Sequence, residues 1–197
     1  MGRAIDLDTV EAAVAARTAR PSSDYDLNPG VVLPPGRKLR PAAVLIAVED
    51  GAVILTKRAS HLKHHPGQIA LPGGKIDAGD ADAVAAALRE AQEEIGLPPE
   101  NVALVARLPE HETVTGYTVT PVLARVRAPF VDRPEPGEVD EVFRVPLGFL
   151  MTPENYRVER RRWRGTWRSF YVVPWGPYYI WGATARVLKS LADRVAE

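Results

Sequence analysis

The stretch LPGGKIDAGDADAVAAALREAQEEIGLPP, residues 71–99, carries the strongest structural signal in this 197-residue sequence. Its apolar residues recur at the spacing of an α-helix and share one side of a helical wheel: Val84, Ala87, Leu88, Ala91 and Ile95. Gly96 and the prolines at 98 and 99 end the pattern, because glycine favours a left-handed C-terminal cap and proline cannot continue a helix. The sequence therefore predicts a helix over residues 81–95 that packs on a sheet through this apolar side.

Three glutamates, Glu90, Glu93 and Glu94, gather on the far side of this predicted helix and on its flank. At i,i+3 and i,i+4 spacing, like charges repel by roughly a few tenths of a kcal/mol per pair. A divalent cation such as Mg²⁺ or Mn²⁺ would remove that repulsion, since it takes carboxylate oxygens as ligands. The alternative is an acidic surface exposed to water. The glycine pair before the helix, which lets backbone approach a metal or phosphate, and the fork of Arg89 both favour the metal.

Runs of β-branched and apolar residues flank this helix on both sides. Residues 42–48 and 52–58 are separated by Glu49-Asp50-Gly51, and Asp-Gly between apolar runs is a strong hairpin signal. Further strands are predicted over residues 102–108, 118–126, 141–147 and 169–175, and helices over residues 182–196 and in the first 20 residues. Since most connections are short, we expect an α+β fold with a mixed sheet. We divide it into an N-terminal helix and loop extension, residues 1–40, and a main domain, residues 41–197.

Composition narrows the class of protein. The 25 Lys and Arg balance the 25 Asp and Glu, so charge gives no sign of a nucleic acid or an anionic membrane as partner. Apolar runs fall far short of the roughly 20 residues of a membrane span, and acids stand where a secretory leader would be apolar. The absence of cysteine excludes disulfides and thiolate chemistry and fits a cytoplasmic protein. We expect a small-molecule substrate and neither membrane nor nucleic acid as partner; a homodimer is one assembly open to it.

The quoted stretch resembles the Nudix box, whose usual form is G-x5-E-x7-R-E-U-x-E-E-x-G-U with U apolar. Gly74, Asp80 and residues 89–97, REAQEEIGL, carry the resemblance. The second half agrees at every fixed position, whereas Asp80 stands where Glu is usual and the spacer after it is one residue longer. The resemblance implies an α/β/α sandwich around a central mixed β-sheet. It also implies that residues 41–197 form a Nudix hydrolase domain, which cleaves a nucleoside diphosphate linked to another moiety.

The resemblance also implies roles for residues of the box. Glu90 and Glu94 would be the principal ligands of Mg²⁺ or Mn²⁺, and Glu93 a further or water-mediated ligand. Gly74 would add a backbone carbonyl, and Arg89 would orient the carboxylates. Glu90 is alternatively a group that helps to activate the attacking water.

Residues 54–74, ILTKRASHLKHHPGQIALPGG, resemble the additional signature of the coenzyme A diphosphatases, a subgroup of the Nudix family. This resemblance implies cleavage of coenzyme A or its thioesters to 3′,5′-ADP and (acyl-)4′-phosphopantetheine, with substrate contacts at Arg58, Lys63, Gly67 and Gly73. Lys63 keeps the charge of the signature arginine but not its fork. A zinc site at the three histidines of the segment is the weaker alternative, because no cysteine accompanies them. Other readings are a dinucleotide or nucleotide sugar as substrate, or a nucleotide- or RNA-binding module without catalysis.

Two segments in the second half of the sequence each allow more than one interpretation. Nudix enzymes often recruit an acid from a later loop, so Glu138 or Glu141 is a candidate base or extra ligand; each is otherwise an ordinary loop carboxylate. Residues 157–168, RVERRRWRGTWR, hold six Arg and two Trp. We interpret them as a hairpin that turns at Arg164-Gly165, with the tryptophans and Phe170 facing the core and the arginines facing solvent. Binding of RNA, or of the 3′-phosphate of coenzyme A, is the alternative.

Overall fold

The computed structural model describes residues 5–163 and 165–197. In this part of the chain the helices are α1 Leu7–Ala16, α2 Ala83–Ile95, α3 Leu147–Leu150 and α4 Gly182–Ala196, with 3₁₀ turns at Pro99–Asn101 and Pro153–Asn155. The strands are β1 Ser22–Ser23, β2 Arg40–Glu49, β3 Ala52–Arg58, β4 Ile69–Ala70, β5 Gly73–Lys75, β6 Val102–Arg107, β7 His111–Glu112, β8 Tyr117–Val126, β9 Val139–Pro146, β10 Arg157–Trp163, β11 Thr166–Trp175 and β12 Tyr178–Trp181. No helix within these ranges is long and apolar enough to span a membrane.

The strands form one large mixed sheet and one small antiparallel sheet. In the large sheet the order is β1-β7-β8-β2-β3-β4, while β5 pairs with β2, β6 with β8 and β9 with β3. The β2–β8 and β1–β7 pairs are parallel and the others are antiparallel. The small sheet has the order β10-β11-β12. The predicted mixed sheet is therefore confirmed.

Buried clusters on the two faces of the large sheet give the fold three layers. On one face, α2 presents small side chains to strand residues such as Leu45 and Ile54: Ala83, Ala86, Ala87 and Ala91. On the other face, the cluster draws on the remaining helices and the small sheet, with Leu7, Leu147, Ile180 and Leu188 among its members. The α/β/α arrangement is confirmed. Because alanine is small, α2 lies close to β2, and this brings the helix near the glycine turn at β5.

Turn and cap chemistry explain the predicted hairpin and the ends of α2. Asp50 and Gly51 have φ angles of 46° and 77°, the left-handed values that a two-residue type I′ turn needs. They join β2 to β3 as predicted. Helix α2 begins two residues later than predicted, because the Asp82 side chain caps it by accepting a backbone N–H bond at 2.9 Å. It ends at Gly96, whose φ is 74°.

The N-terminal segment is tied to the sheet by a buried histidine. Asp6 caps α1 by accepting a hydrogen bond from the Thr9 N–H at 2.8 Å, which confirms the predicted first helix. Beyond it, Ser22 Oγ lies 2.9 Å from His111 Nδ1, and Asp24 Oδ1 lies 3.1 Å from His111 Nε2. The loop predicted in the N-terminal extension thus contains β1, which pairs with β7. The division of the chain at residue 40 stays a prediction.

The arginine-rich segment forms the antiparallel strands β10 and β11, as predicted. Arg164, at its predicted turn, and the side chain of Trp163 lie outside the described part of the chain. The prediction that the tryptophans face the core is wrong for Trp167, which is 58% exposed. Arg160 lies over its ring, 5.6 Å from the centroid, so a guanidinium and not the core covers this indole. Phe170 is half-buried against Trp181, with ring centroids 5.3 Å apart.

Candidate active site

Glu94 is the buried carboxylate of the predicted cluster, because only 4% of the residue is exposed. Its Oε2 accepts a hydrogen bond from the Gly73 N–H at 3.0 Å. Burial raises the pKa of Glu94 to about 7, and the negative charge of Glu90 acts in the same direction. The sequence predicted the three glutamates on the far side of α2 and on its flank, and it did not indicate that Glu94 would be buried.

Glu90 lies one helical turn before Glu94 and is half-buried against the glycine turn. A Cβ atom at Gly74 would lie 2.5 Å from Glu90 Oε1, a distance that non-bonded atoms do not tolerate, so only glycine leaves room for this carboxylate. Burial raises the pKa of Glu90, and the hydrogen bond from Arg89 opposes that effect. Two carboxylates thus converge on residues 73–74.

Arg89 is the centre of the hydrogen-bond network that holds this side of α2. Its Nε and Nη2 each bond one oxygen of Asp80, both at 3.0 Å. Its Nη1 bonds Glu90 at 3.0 Å and Glu93 at 2.9 Å. The structure therefore brings Glu93, whose side chain is 60% exposed, to Arg89. The sequence analysis assigned no role to Asp80, although its acidic side chain stands where the box usually has a glutamate. The hydrogen bonds from the Arg89 guanidinium lower the pKa of this carboxyl.

The register of β5 on β2 decides which glycine carbonyl faces the carboxylates. The Leu45 N–H bonds the Pro72 carbonyl at 2.8 Å, which fixes the phase of the ladder. Because antiparallel residues bond their direct partner at every second position, Gly74 turns its carbonyl toward β2 and Gly73 turns its carbonyl away from β2. The Gly73 N–H points the same way and bonds Glu94. The Gly73 carbonyl therefore lies on the side of the carboxylates. The sequence predicted the carbonyl of Gly74 as the metal ligand, but that carbonyl points toward β2.

Glu138, at the end of the loop before β9, lies close to the helix carboxylates. Its negative charge raises the pKa of both Glu90 and Glu94. Its backbone carbonyl accepts a hydrogen bond from the Ala59 N–H at 2.8 Å, which fixes the residue beside the end of β3. The charge of Glu138 therefore acts on both helix carboxylates, Glu90 and Glu94.

Glu141, the other candidate acid, has different partners. It accepts a hydrogen bond from the Tyr178 hydroxyl, and the Tyr178 ring stacks on Phe143 with centroids 3.6 Å apart. Glu141 and Phe143 are two residues apart on β9, so they share a face of the sheet. Phe143 belongs to the cluster on the face opposite α2. The structure thus directs Glu141 to the small sheet, and its predicted catalytic role stays untested.

Of the predicted substrate-binding residues, three lie at the end of β3 and in the loop that follows it, Arg58, Lys63 and Gly67, whereas Gly73 lies on β5. The positive charge of Arg58 lowers the pKa of Glu94, so its guanidinium lies near the carboxylates. The Arg58 carbonyl accepts a hydrogen bond from the Gly67 N–H at 3.1 Å and closes the loop of residues 59–67. Gly67 has a φ of 67°, which glycine adopts readily. Lys63 is exposed on this loop.

The chemistry of these donors fits a hard divalent cation. Mg²⁺ commonly takes one or two protein carboxylates and completes its shell with water and substrate phosphate oxygens. Glu90 and Glu94, with the Gly73 carbonyl, supply such a partial set, and the like charge beside buried Glu94 is what a cation would offset. Within residues 5–163 and 165–197, no three His, Cys, Asp or Glu side chains form a complete site. The protein therefore offers part of a coordination shell.

Replacing Gly74 by Ala is expected to weaken Mn²⁺ binding and activity at least about tenfold with little change in stability. The added Cβ would displace the Glu90 carboxylate, which is the mobile end of a side chain, whereas the strand keeps its backbone. Isothermal titration with Mn²⁺ and thermal unfolding measure the two effects. Wild-type Mn²⁺ affinity in this variant would show that Glu90 does not need the space at Gly74.

Comparison with known proteins identifies the family of the chain. The family model described as "NUDIX domain" matches residues 38–175. A protein of Enterobacter sp. (strain 638) named "Uncharacterized Nudix hydrolase NudL" is 41% identical over 163 residues, which span 79% of this chain and 83% of that protein. A relative of the same name in Salmonella paratyphi B (strain ATCC BAA-1250 / SPB7) is 40% identical over 159 residues, again 79% of this chain and 83% of that protein.

Solved structures are similar as well. A MutT/nudix family protein from Enterococcus faecalis has a TM-score of 0.50 at 16% identity, covering 85% of this chain and 66% of that chain, a likeness of fold alone. A Nudix hydrolase from M. smegmatis, RenU, is 30% identical with a TM-score of 0.45, over 56% of this chain and 71% of that chain. Because the family model spans most of the sequence and relatives of 40% identity match along it, the chain belongs to the Nudix family of hydrolases, which act on phosphorus-containing anhydrides.

Proposed function

We propose that the protein is a Mg²⁺- or Mn²⁺-dependent hydrolase that cleaves the diphosphate of coenzyme A or its thioesters to 3′,5′-ADP and (acyl-)4′-phosphopantetheine. The observation that carries the proposal is the continuity of residues 54–74, which run from β3 into the glycine turn. The charge of Arg58, at the start of this segment, acts on Glu94 of the box. This interaction supports the assignment of the signature and the box to one site.

Glu90, Glu94 and the carbonyl of Gly73 would hold the cation, which when bound neutralises the diphosphate and polarises its phosphorus. Arg89 keeps the Glu90 carboxylate in place through its Nη1. Asp80 in turn keeps Arg89 in place, since its two oxygens occupy Nε and Nη2. Each ligand thus has a fixed orientation before substrate binds.

Glu138 is the base that we assign. Its carboxylate would accept the proton of the water that attacks one phosphorus of the diphosphate, while the bridging P–O bond breaks and the other phosphate leaves. Its nearness to Glu90 and Glu94 supports this role. The alternative, Glu141, already accepts a hydrogen bond from Tyr178.

Arg58 and Lys63 would attract the phosphates of the substrate. Arg58, beside the carboxylates, can bind a phosphate oxygen pair through its fork, and the exposed ammonium of Lys63 acts as a point charge. The Gly67 N–H bonds the Arg58 carbonyl and so closes the loop that carries Lys63. Positive side chains next to the carboxylates suit a negatively charged ligand, such as a diphosphate, that binds to a metal ion.

Incubation of the purified protein with coenzyme A and Mn²⁺, followed by chromatography, tests the substrate. We expect 3′,5′-ADP and 4′-phosphopantetheine in equal amounts. Turnover only of a dinucleotide or nucleotide sugar in a parallel panel would keep the chemistry and reject coenzyme A. Salt-dependent RNA binding that Glu94→Gln leaves unchanged, without turnover of any substrate, would favour the binding module instead. The cytoplasmic location and the homodimer stay predictions.

A further inference from the structure

Residues 127–138 form the loop that carries Glu138, and two of its amides bond the carboxyl end of α2. The Arg133 N–H bonds the Ile95 carbonyl at 3.0 Å, and the Glu135 N–H bonds the Glu94 carbonyl at 2.9 Å. The Glu138 N–H in turn bonds the Glu135 carbonyl at 2.9 Å. The position of Glu138 relative to the helix carboxylates therefore depends on how this loop lies on the end of α2.

Arg144, on β9, holds the middle of the same loop. Its Nη2 bonds Asp132 Oδ1 at 2.8 Å, and its Nη1 bonds the other oxygen of Asp132, so the contact is bidentate. Its Nε and Nη2 also bond Glu49 Oε2, at the end of β2, at 2.9 and 2.8 Å. The guanidinium lies 5.6 Å from the centroid of the Phe130 ring. One side chain thus connects the loop to two strands of the large sheet.

Besides the contacts of Arg144, the two amide bonds to α2 and the packing of Phe130 hold this part of the loop. Phe130 packs on the core beside α2, but Val131 is 75% exposed. An ion pair that is exposed to water does little to fix the position of a loop. The side chains of Arg144, Asp132 and Glu49 are all largely shielded from water, so their contacts can hold the loop in place. A lysine could not replace the planar fork, because its single ammonium cannot make two parallel bonds to one carboxylate while it also reaches a second.

We propose that Arg144 is a positioning residue, which through Asp132 sets the loop so that Glu138 stands beside Glu90 and Glu94. This inference rests on the proposed role of Glu138 as the base. Arg144 touches neither the substrate nor the metal ligands in this assignment, and its effect reaches the site only through residues 131–138.

Hydrogen exchange of the metal-free protein tests the structural half of the inference. In Arg144→Met, amides of residues 131–138 should exchange about tenfold faster than in the wild type, and in Arg144→Lys by an intermediate factor. The matched control is Arg125→Met, which removes an exposed ion pair with Asp8 on another part of the sheet. Wild-type exchange of the loop in Arg144→Met would overturn the inference, whatever the substrate proves to be.

A double-mutant cycle tests the functional half, with whichever substrate the protein turns over. Arg144→Met should lower kcat about tenfold with KM within about twofold, and in a Glu138→Gln background it should change kcat by less than about twofold. Equal losses in both backgrounds would show a purely structural role and overturn the inference. Full kcat in Glu138→Gln alone would reject both the base and the inference, whereas inactivity toward coenzyme A alone rejects only the proposed substrate.

Discussion

Glu90→Gln should lower kcat about 10³-fold, because a ligand oxygen loses its charge where a metal must supply several kcal/mol of electrostatic stabilisation. The amide keeps the shape of the side chain and can still accept the bond from Arg89 Nη1. Burial already disfavours the charged form of Glu90 and raises its pKa. The free energy of unfolding should therefore change by less than about 0.5 kcal/mol.

Steady-state kinetics with Mn²⁺ and urea unfolding in metal-free buffer measure these two effects. Glu100→Gln is the matched control, since this exposed glutamate lies just beyond α2 and should keep full activity. Retained turnover in Glu90→Gln would mean that another carboxylate carries the metal.

Gly73→Ala should lower the free energy of unfolding by about 3 kcal/mol or more. Gly73 has a φ of 153°, a value that side chains strongly disfavour, and an added Cβ would lie 2.3 Å from the Ala43 carbonyl oxygen and 2.6 Å from Val44 Cα. Both obstructing atoms belong to the backbone of β2, which pairs with β8 from Arg40 to Val48. The clash cannot be relieved by turning a side chain.

Urea unfolding followed by circular dichroism measures this loss of stability. Gly79→Ala is the control, because a Cβ there would meet nothing within 4 Å, and it should change the free energy of unfolding by less than about 0.5 kcal/mol. A Gly73→Ala protein within about 1 kcal/mol of the wild type would show that β5 can retreat from β2 at little cost.

Local chemistry made much of this molecule predictable. The Asp50-Gly51 turn and the glycine end of α2 each depend on residues that are close to one another in the sequence. The helix that carries Glu90 was therefore visible in the sequence, together with the place of Arg89 beside it. The short connections between the predicted strands also predict the mixed sheet, because short turns limit how strands can be joined.

Other features depend on contacts between distant residues. Glu94 is buried because β5 approaches the helix and offers the Gly73 N–H, and a helical wheel contains no information on that neighbour. The choice between the carbonyls of Gly73 and Gly74 depends on the phase of the ladder with β2, which shifts entirely with a register change of one residue. The exposure of Trp167 likewise depends on how far its hairpin extends beyond the core.

The close approach of β5 to β2 determines which positions can be substituted to change the substrate selectivity of the protein. There is no room for a larger side chain at Gly73 or at Gly74. Most substitutions at these two positions would therefore give unfolded or inactive protein. Residues 61–66 instead form a mainly exposed segment, closed at its base by the bond between Gly67 and Arg58. Randomising that segment would sample new ligand preferences on an unchanged reaction centre.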